Sequence, residues 1–441
     1  MKLSKLIPAA VAATLLPMVA SAQDVVDAAV VDKGDVAWMM TSSLLVLFMI
    51  IPGLALFYGG LVRQKNMLSV LMQCTLITSV VMIIWVLYGY SFAFGGSTSP
   101  FWGGTGKLFL AGVTPESTVA TFSDGVELPE YVFICFQMTF AAITPALIVG
   151  AFAERVKFSG VILFVVLWVT FIYFPIAHMV WDGAGVIFNW GAIDFAGGTV
   201  VHINAGIAAL VWTVVIGPRV GFGRDNMAPH SMTLTMVGAA MLWVGWFGFN
   251  AGSNLEATAG ATLAMMNTFI ATAGAVVSWS VVEAITRGKA SMLGAVSGMV
   301  AGLVAVTPAC GTSGPVGALV LGLVVSPISF FFVTTVKQKF KYDDSLDVFG
   351  VHGVGGIVGA IGTGILCAPW LGGTGFVVEA GTMGAQVLTQ ISAVLLTLVW
   401  SGVGSLVLIY VTKSITGIRV DEADERQGLD LTSHGETAYH S

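Results

Sequence analysis

Two histidines sit deep in apolar segments of this 441-residue chain: His202 in TVVHINAGIAALVWTVVIG and His352 in DVFGVHGVGGIVGAIGTGIL. An ionisable group at bilayer depth is costly, so it marks a candidate functional site. Neutral imidazole donates and accepts hydrogen bonds and can relay a proton. Two imidazoles in similar local sequence point to a polar pathway through a membrane protein. The likeness is specific but short. Asp194-Phe-Ala-Gly197 leads to His202, with Gly206 four residues on; Asp347-Val-Phe-Gly350 leads to His352, with Gly356 four residues on. Four residues is one helical turn.

Three further residues share a helix face. Trp246, Phe249 and Ser253 lie at i, i+3 and i+7 in WFGFNAGS, which places two aromatics and a hydroxyl in one line. Such a stripe suits a pore lining, and it also suits a lipid-facing or packed surface. Gly248 and Gly252 between them allow close helix packing. Asp194 opens the segment that carries His202. A carboxylate there caps free N–H groups and suits the positive helix end, and it can favour a nearby cation without touching it. Asp182, beside Trp181, reads as a solvated loop acid. His178 reads as an interfacial hydrogen-bonding residue, His230 as the start of a span, and His434 and His440 as tail residues. None of the histidines has metal-site spacing. Cys74, Cys135, Cys310 and Cys367 show no CxxC pattern and read as small packing residues.

The elements that must position these groups are membrane helices. Only 10% of residues are charged and 56% are hydrophobic, which excludes an ordinary soluble globule. Apolar runs of about 20 residues recur, each long enough to cross about 30 Å of hydrocarbon as a helix. The 54 glycines fit close helix contacts in lipid. About eleven spans are expected, near 36–60, 67–94, 130–153, 159–181, 199–217, 231–252, 260–284, 291–308, 314–336, 348–368 and 385–411. The expected fold is an all-α integral membrane protein with a 5+5 inverted repeat and a final helix. Five spans followed by five more place the second half upside down, and transporters often put their site where two such repeats meet.

Residues 1–22 read as a secretory signal peptide. Lys2 and Lys5 precede an apolar run that ends in Ala20-Ser21-Ala22; the alternative for this stretch is a first membrane helix. Cleavage removes two lysines and no acid, which takes the formal charge from −6 to −8. A short periplasmic N-terminus, 23–35, then precedes the membrane domain, 36–412. Counting Lys and Arg with the mature N-terminus outside places 14 of the 18 on inward loops and the tail, and only Lys33 and Lys107 outside. The C-terminus is therefore expected in the cytoplasm. A cleaved signal suits the inner membrane of a Gram-negative bacterium. Residues 413–441 form the only long polar segment. Composition alone reads them as disordered; because they face the cytoplasm by the charge count, the sharper reading is a cytoplasmic regulatory tail.

The motif DFAGGTVVHINAG resembles the ammonium transporter (Amt/Mep/Rh) family, and the likeness runs along nearly the whole mature chain. It includes FYGGLVRQKN, FAAITPALIVGAFAERVKF, PIAHMVW, GWFGFNAGS, ASMLGAVSGMVAGLVAVTPACG and DVFGVHGVGGIVG; GLDLTSHGETAY fits the bacterial Amt branch. The resemblance implies a homotrimer with one pore per subunit and ammonium, ammonia and the analogue methylammonium as substrates. It also implies an outer recruitment site at Trp181, Phe140 and Ser253 and a gate at Phe140 and Phe249. The twin pore histidines would be His202 and His352, with Trp246 lining the lumen and Asp194 at the pore entrance. A PII-type signalling protein is the partner implied at the cytoplasmic face. The chain departs from the family pattern at Asp182, where a small residue is expected. No enzyme activity, cofactor, metal or nucleic acid is expected; the remaining partners are membrane lipids. Competing readings are an ammonium sensor with little flux, a carbon dioxide channel, and a membrane haem protein with His202 and His352 as axial ligands.

Overall fold

The computed structural model describes residues 30–439. The expected signal peptide, residues 1–22, lies outside the described residues. Among the described residues, ten helices are long and apolar enough to cross a membrane: Lys33–Leu61, Gln64–Phe94, Glu130–Phe152, Phe158–Asn189, Gly198–Ile216, Met232–Gly252, Ala259–Arg287, Pro315–Phe340, Phe349–Leu366 and Met383–Ile415. An eleventh, Met292–Val306, is shorter and continues as tight turns through Thr312. Counted in chain order it is the eighth, so the described residues hold the eleven spans expected. Their ends are marked by side-chain caps. Asp32 accepts from the N–H groups of Gly34 and Asp35, and Ser231, Ser291 and Thr382 cap the sixth, eighth and eleventh spans.

The first and sixth spans pack along a small-residue stripe. A Cβ on Gly248 would lie 2.7 Å from the Ser42 carbonyl oxygen, and one on Gly252 would lie 2.6 Å from the Ser42 Cβ. Only glycine admits this approach, which supplies the dispersion contact that holds helices together in lipid. At one end of the bundle, β1 (Val30–Val31), β2 (Thr118–Ala120) and β3 (Val126–Pro129) form a small sheet in the order β1-β3-β2.

The opposite end carries the tail. It is ordered, with helices over Glu422–Gln427 and Leu429–His434, which corrects the compositional expectation of disorder. Burial decides the matter: Leu429 and Glu425 are each 1% exposed. The Leu429 N–H donates to Asn66 at 2.9 Å, and the Ser69 N–H donates to Asp430 at 2.8 Å. Beneath the tail, Glu154 pairs with Arg63 and Arg219, and Arg219 pairs with Asp343. Burial alone would raise the Glu154 carboxyl, but Arg219 and Arg63 hold it below its usual value. Asp343 behaves alike, with burial outweighed by Arg219.

Candidate functional site

Both histidines sit in short π-helical turns at the head of a span: Gly198–Ile203 for His202 and Phe349–Gly353 for His352. Such turns free backbone groups and are common at functional sites. The glycine that follows each histidine by four residues lets the two turns meet. A Cβ on Gly206 would lie 2.3 Å from the Gly353 Cα; one on Gly356 would lie 3.2 Å from the His202 Cβ. The sequence echo is thus a packing device. The two imidazoles face each other with Nδ1 atoms 3.3 Å apart. One proton can occupy that contact, so one ring donates and the other accepts. They are 1% and 3% exposed.

The acids of the echo do not correspond. Asp194 accepts from four backbone N–H groups: Gly197 and Gly198 on Oδ1 at 2.9 and 2.6 Å, Thr199 and Val200 on Oδ2 at 2.8 and 3.1 Å. Its carboxylate is consumed as a cap for the His202 turn. Asp347 instead pairs with Lys337 at 2.7 Å, and Asp344 receives the Phe349 N–H at 2.8 Å.

The eight residues singled out from sequence form one connected column. Trp181 lies edge-on to Phe140 at 5.8 Å between centroids, and Phe140 stacks on Phe249 at 4.1 Å. Phe249 lies 6.0 Å from His202, and Trp246 stacks on His202 at 5.4 Å. Ser253 donates its hydroxyl proton to the Phe249 carbonyl at 2.8 Å, which leaves its oxygen lone pairs free to accept. The Trp181 indole N–H donates to the Asp194 carbonyl at 3.0 Å. With Phe140 and Phe249 each at most 1% exposed, the stacked pair closes the column toward the sheet end. Below it is a cavity of about 10 Å³ lined by both histidines, Trp246, Phe249, Leu242 and Ile143. A second cavity of about 150 Å³ shares Phe57, Val300 and His352 with the first and reaches Ser345 and Asp347 near the tail. Apart from the two imidazoles, the walls of the first cavity are apolar, so a permanent charge there would be heavily penalised; the second carries polar groups, Ser297, Ser345 and Asp347 among them. The 3.3 Å gap and the small cavity leave no volume for a porphyrin between the rings.

The family model described as Ammonium Transporter Family matches residues 37–439. The chain belongs to the ammonium transporter family. It is 45% identical over 410 residues to an ammonium transporter of Aquifex aeolicus, covering 93% of this chain and 94% of that one. Among solved structures, Candida albicans Mep2 superposes with a TM-score of 0.81 at 32% identity, covering 92% and 90% of the two chains. A protein named Sensor Amt Protein gives 0.84 at 27% identity, with 91% and 98% covered. The chain is thus a multi-pass membrane transporter for ammonium, and its relatives are transporters rather than enzymes.

Several supporting residues escape a reading of the sequence. Thr307 accepts the Trp246 indole N–H at 2.9 Å and in turn contacts Asn250 at 3.3 Å. Gln390 accepts from the Ile193 N–H and donates to the Ile193 carbonyl, both at 2.7 Å, while Gln386 donates to the Gly191 carbonyl at 2.8 Å. Together they hold the strap that delivers Asp194. Two glutamines four residues apart in an otherwise apolar span were the signal available. His178 is wholly buried rather than interfacial, with both ring nitrogens bonded, and Asp182 is half-buried.

Proposed function

We propose that ammonium is recruited between Trp181, Phe140 and Ser253, loses its proton at the stacked Phe140–Phe249 gate, and passes as ammonia along His202 and His352. Aromatic faces attract a partly desolvated cation, and the Ser253 oxygen accepts an ammonium hydrogen bond. Potassium resembles ammonium in size but has no proton to give up, so an apolar column discriminates between them. The observation that carries this reading is the in-line stack of gate, Trp246 and the Nδ1–Nδ1 pair. Neutral imidazoles can donate to and accept from ammonia, and the shared Nδ1 contact offers a relay for the released proton. Asp194 acts chiefly by shaping the His202 turn and adds negative potential at the entrance.

In this reading the sheet end is periplasmic and the tail cytoplasmic, in the inner membrane of a Gram-negative cell, with residues 1–22 removed as a signal. The protein works as a homotrimer in nitrogen uptake, and its tail meets a PII-type protein. The structural likeness to the Sensor Amt Protein favours a second reading, in which the fold reports ammonium with little flux. The test is methylammonium uptake in a strain without its own ammonium transporters. Replacing both His202 and His352 with apolar residues is expected to abolish selective uptake while the protein still folds. Unchanged, potassium-discriminating transport in the double variant refutes the pore assignment, and negligible uptake by the unaltered protein favours the sensor.

A further inference from the structure

His178 is fully buried, yet both its ring nitrogens face carbonyl oxygens. Nδ1 lies 2.8 Å from the Ala93 oxygen and Nε2 lies 2.7 Å from the Ser99 oxygen. Carbonyls only accept, and neutral imidazole has a single N–H. In the neutral ring, one of these contacts sets a nitrogen lone pair against an oxygen lone pair. The imidazolium, with two N–H donors, satisfies both. A counter-ion is at hand. Asp182 Oδ2 lies 3.8 Å from Nδ1, and Asp182 Oδ1 is held by the Ala184 N–H at 2.9 Å.

The clasp surrounds Trp181. His178 fastens the segment Ala93–Ser99 three residues before the ring, and the Pro100 carbonyl receives the Val186 N–H at 3.0 Å five residues after it. The same outer segment thus grips both sides of Trp181, whose ring lies over Phe140. Releasing the His178 attachment frees one of the two grips.

We infer that His178 is a positioning residue, which in its doubly protonated form and paired with Asp182 holds Trp181 against Phe140, so that the grip on ammonium depends on external proton concentration. The inference rests on the reading of Trp181 as a recruitment residue. The other titratable groups on the elements packed around His178 are otherwise engaged. Tyr90 donates to Glu130, which also pairs with Lys107. Asp194 is spent on four N–H groups, and His202 contacts His352. Tyr173, on the same span, is the exception: its hydroxyl has no hydrogen-bond partner among the described residues. Among the described residues, Asp182 alone lies within ion-pair distance of His178.

The experiment measures methylammonium uptake by the full-length protein in cells without other ammonium transporters. A concentration series, expressed as methylammonium cation, is run at each external pH from about 5 to 8, the range in which histidine ordinarily changes charge. In the unaltered protein the half-saturation concentration is expected to rise roughly threefold to tenfold toward the alkaline end, the scale of a weakened cation–aromatic contact. Maximal rate should change much less. His178→Gln should give a flat, high half-saturation across the range. Asp182→Asn removes the counter-ion, so its half-saturation should lie above that of the unaltered protein. Asp182 is partly exposed, so this variant decides the matter if His178→Gln does not fold, as judged by its profile in detergent. Superimposable curves for Asp182→Asn and the unaltered protein overturn the inference, as does a flat curve for the unaltered protein. Trp181→Leu separates the two claims. If it leaves half-saturation unchanged, the recruitment reading fails and the clamp falls with it. If it raises half-saturation while Asp182→Asn tracks the unaltered protein, the clamp alone fails.

Discussion

Gly206 and Gly353 meet backbone to backbone, close enough that a Cβ on Gly206 would lie 2.3 Å from the Gly353 Cα. That contact sets how near His202 and His352 come, because each glycine adjoins a histidine-bearing turn. A Cβ on Gly353 would instead meet the Phe349 ring at 2.8 Å, and a ring can move. Gly206→Ala is therefore expected to destabilise the protein by about 1–3 kcal/mol, the usual range for overpacking, and to reduce uptake by spreading the histidines. Gly353→Ala should cost less. Thermal unfolding in detergent with parallel uptake assays checks the order; equal stability for the two variants would contradict it.

Asp194 offers a second test. All four of its hydrogen bonds are accepted from N–H groups, so Asp194→Asn turns an NH₂ group toward two donors. Each buried group left unpaired costs about 1–3 kcal/mol. Asn is expected to fail nearly as badly as Ala in yield of folded protein. An Asn variant with normal yield and normal uptake would show that neither the charge nor the full cap is needed.

Asp344 gives a pH signature at the tail end. Burial pushes its carboxyl up to about 6, despite Lys337, which pulls it down. A raised carboxyl favours the protonated form in the folded protein. Its ionisation therefore removes stability as pH rises from the ordinary value near 4 through about 6. Asp344→Asn keeps an oxygen for the Phe349 N–H and cannot ionise. The variant should match the unaltered protein near pH 4 and exceed it at pH 7 by about 3 kcal/mol. Glu154 and Asp343 act in the opposite sense: their carboxyls are held low, so their contribution fades as pH falls below about 4. Thermal melts at several pH values separate the two effects.

How much of this could be read from the chain follows from what each feature demands. The spans were legible because lipid imposes length and apolarity on every helix. The tenth, expected at 348–368, runs Phe349–Leu366. The eighth, expected at 291–308, has a helix that stops at Val306, just before Pro308, which has no N–H to continue the ladder. His202, His352 and the Trp246–Phe249–Ser253 line stood out as polar or aromatic groups at fixed spacing in apolar sequence. Trp181, Phe140 and the gate came only through family likeness, since single aromatics in membrane helices are common. The clamp at His178 needed coordinates, because its two carbonyl partners are backbone atoms far away in sequence. The tail's order was hidden for a related reason. Its polar residues are buried against the loops of other spans, a partner surface that composition does not describe.

Those tail contacts carry the last prediction. Glu425 receives the Val220 N–H at 2.6 Å and pairs with Arg419 at 2.8 Å. The Val420 N–H donates to the Arg155 carbonyl at 3.2 Å, and the Arg155 guanidinium donates to the Ser345 hydroxyl at 2.7 Å. Ser345 lines the cavity that opens beneath His352. A continuous set of bonds therefore joins the tail to a residue that lines this cavity. Contiguity is not coupling, so the claim requires a change of function. Deleting residues 418–441 is expected to change methylammonium uptake about fivefold or more, the lower end of typical coupling energies, and to abolish binding of a PII-type protein to membranes. Glu425→Gln keeps the tail but loses the Arg419 charge pair, and should shift uptake in the same direction by less. If both variants transport and bind at full-length levels, the tail has no regulatory role, and the pore assignment stands on its own geometry.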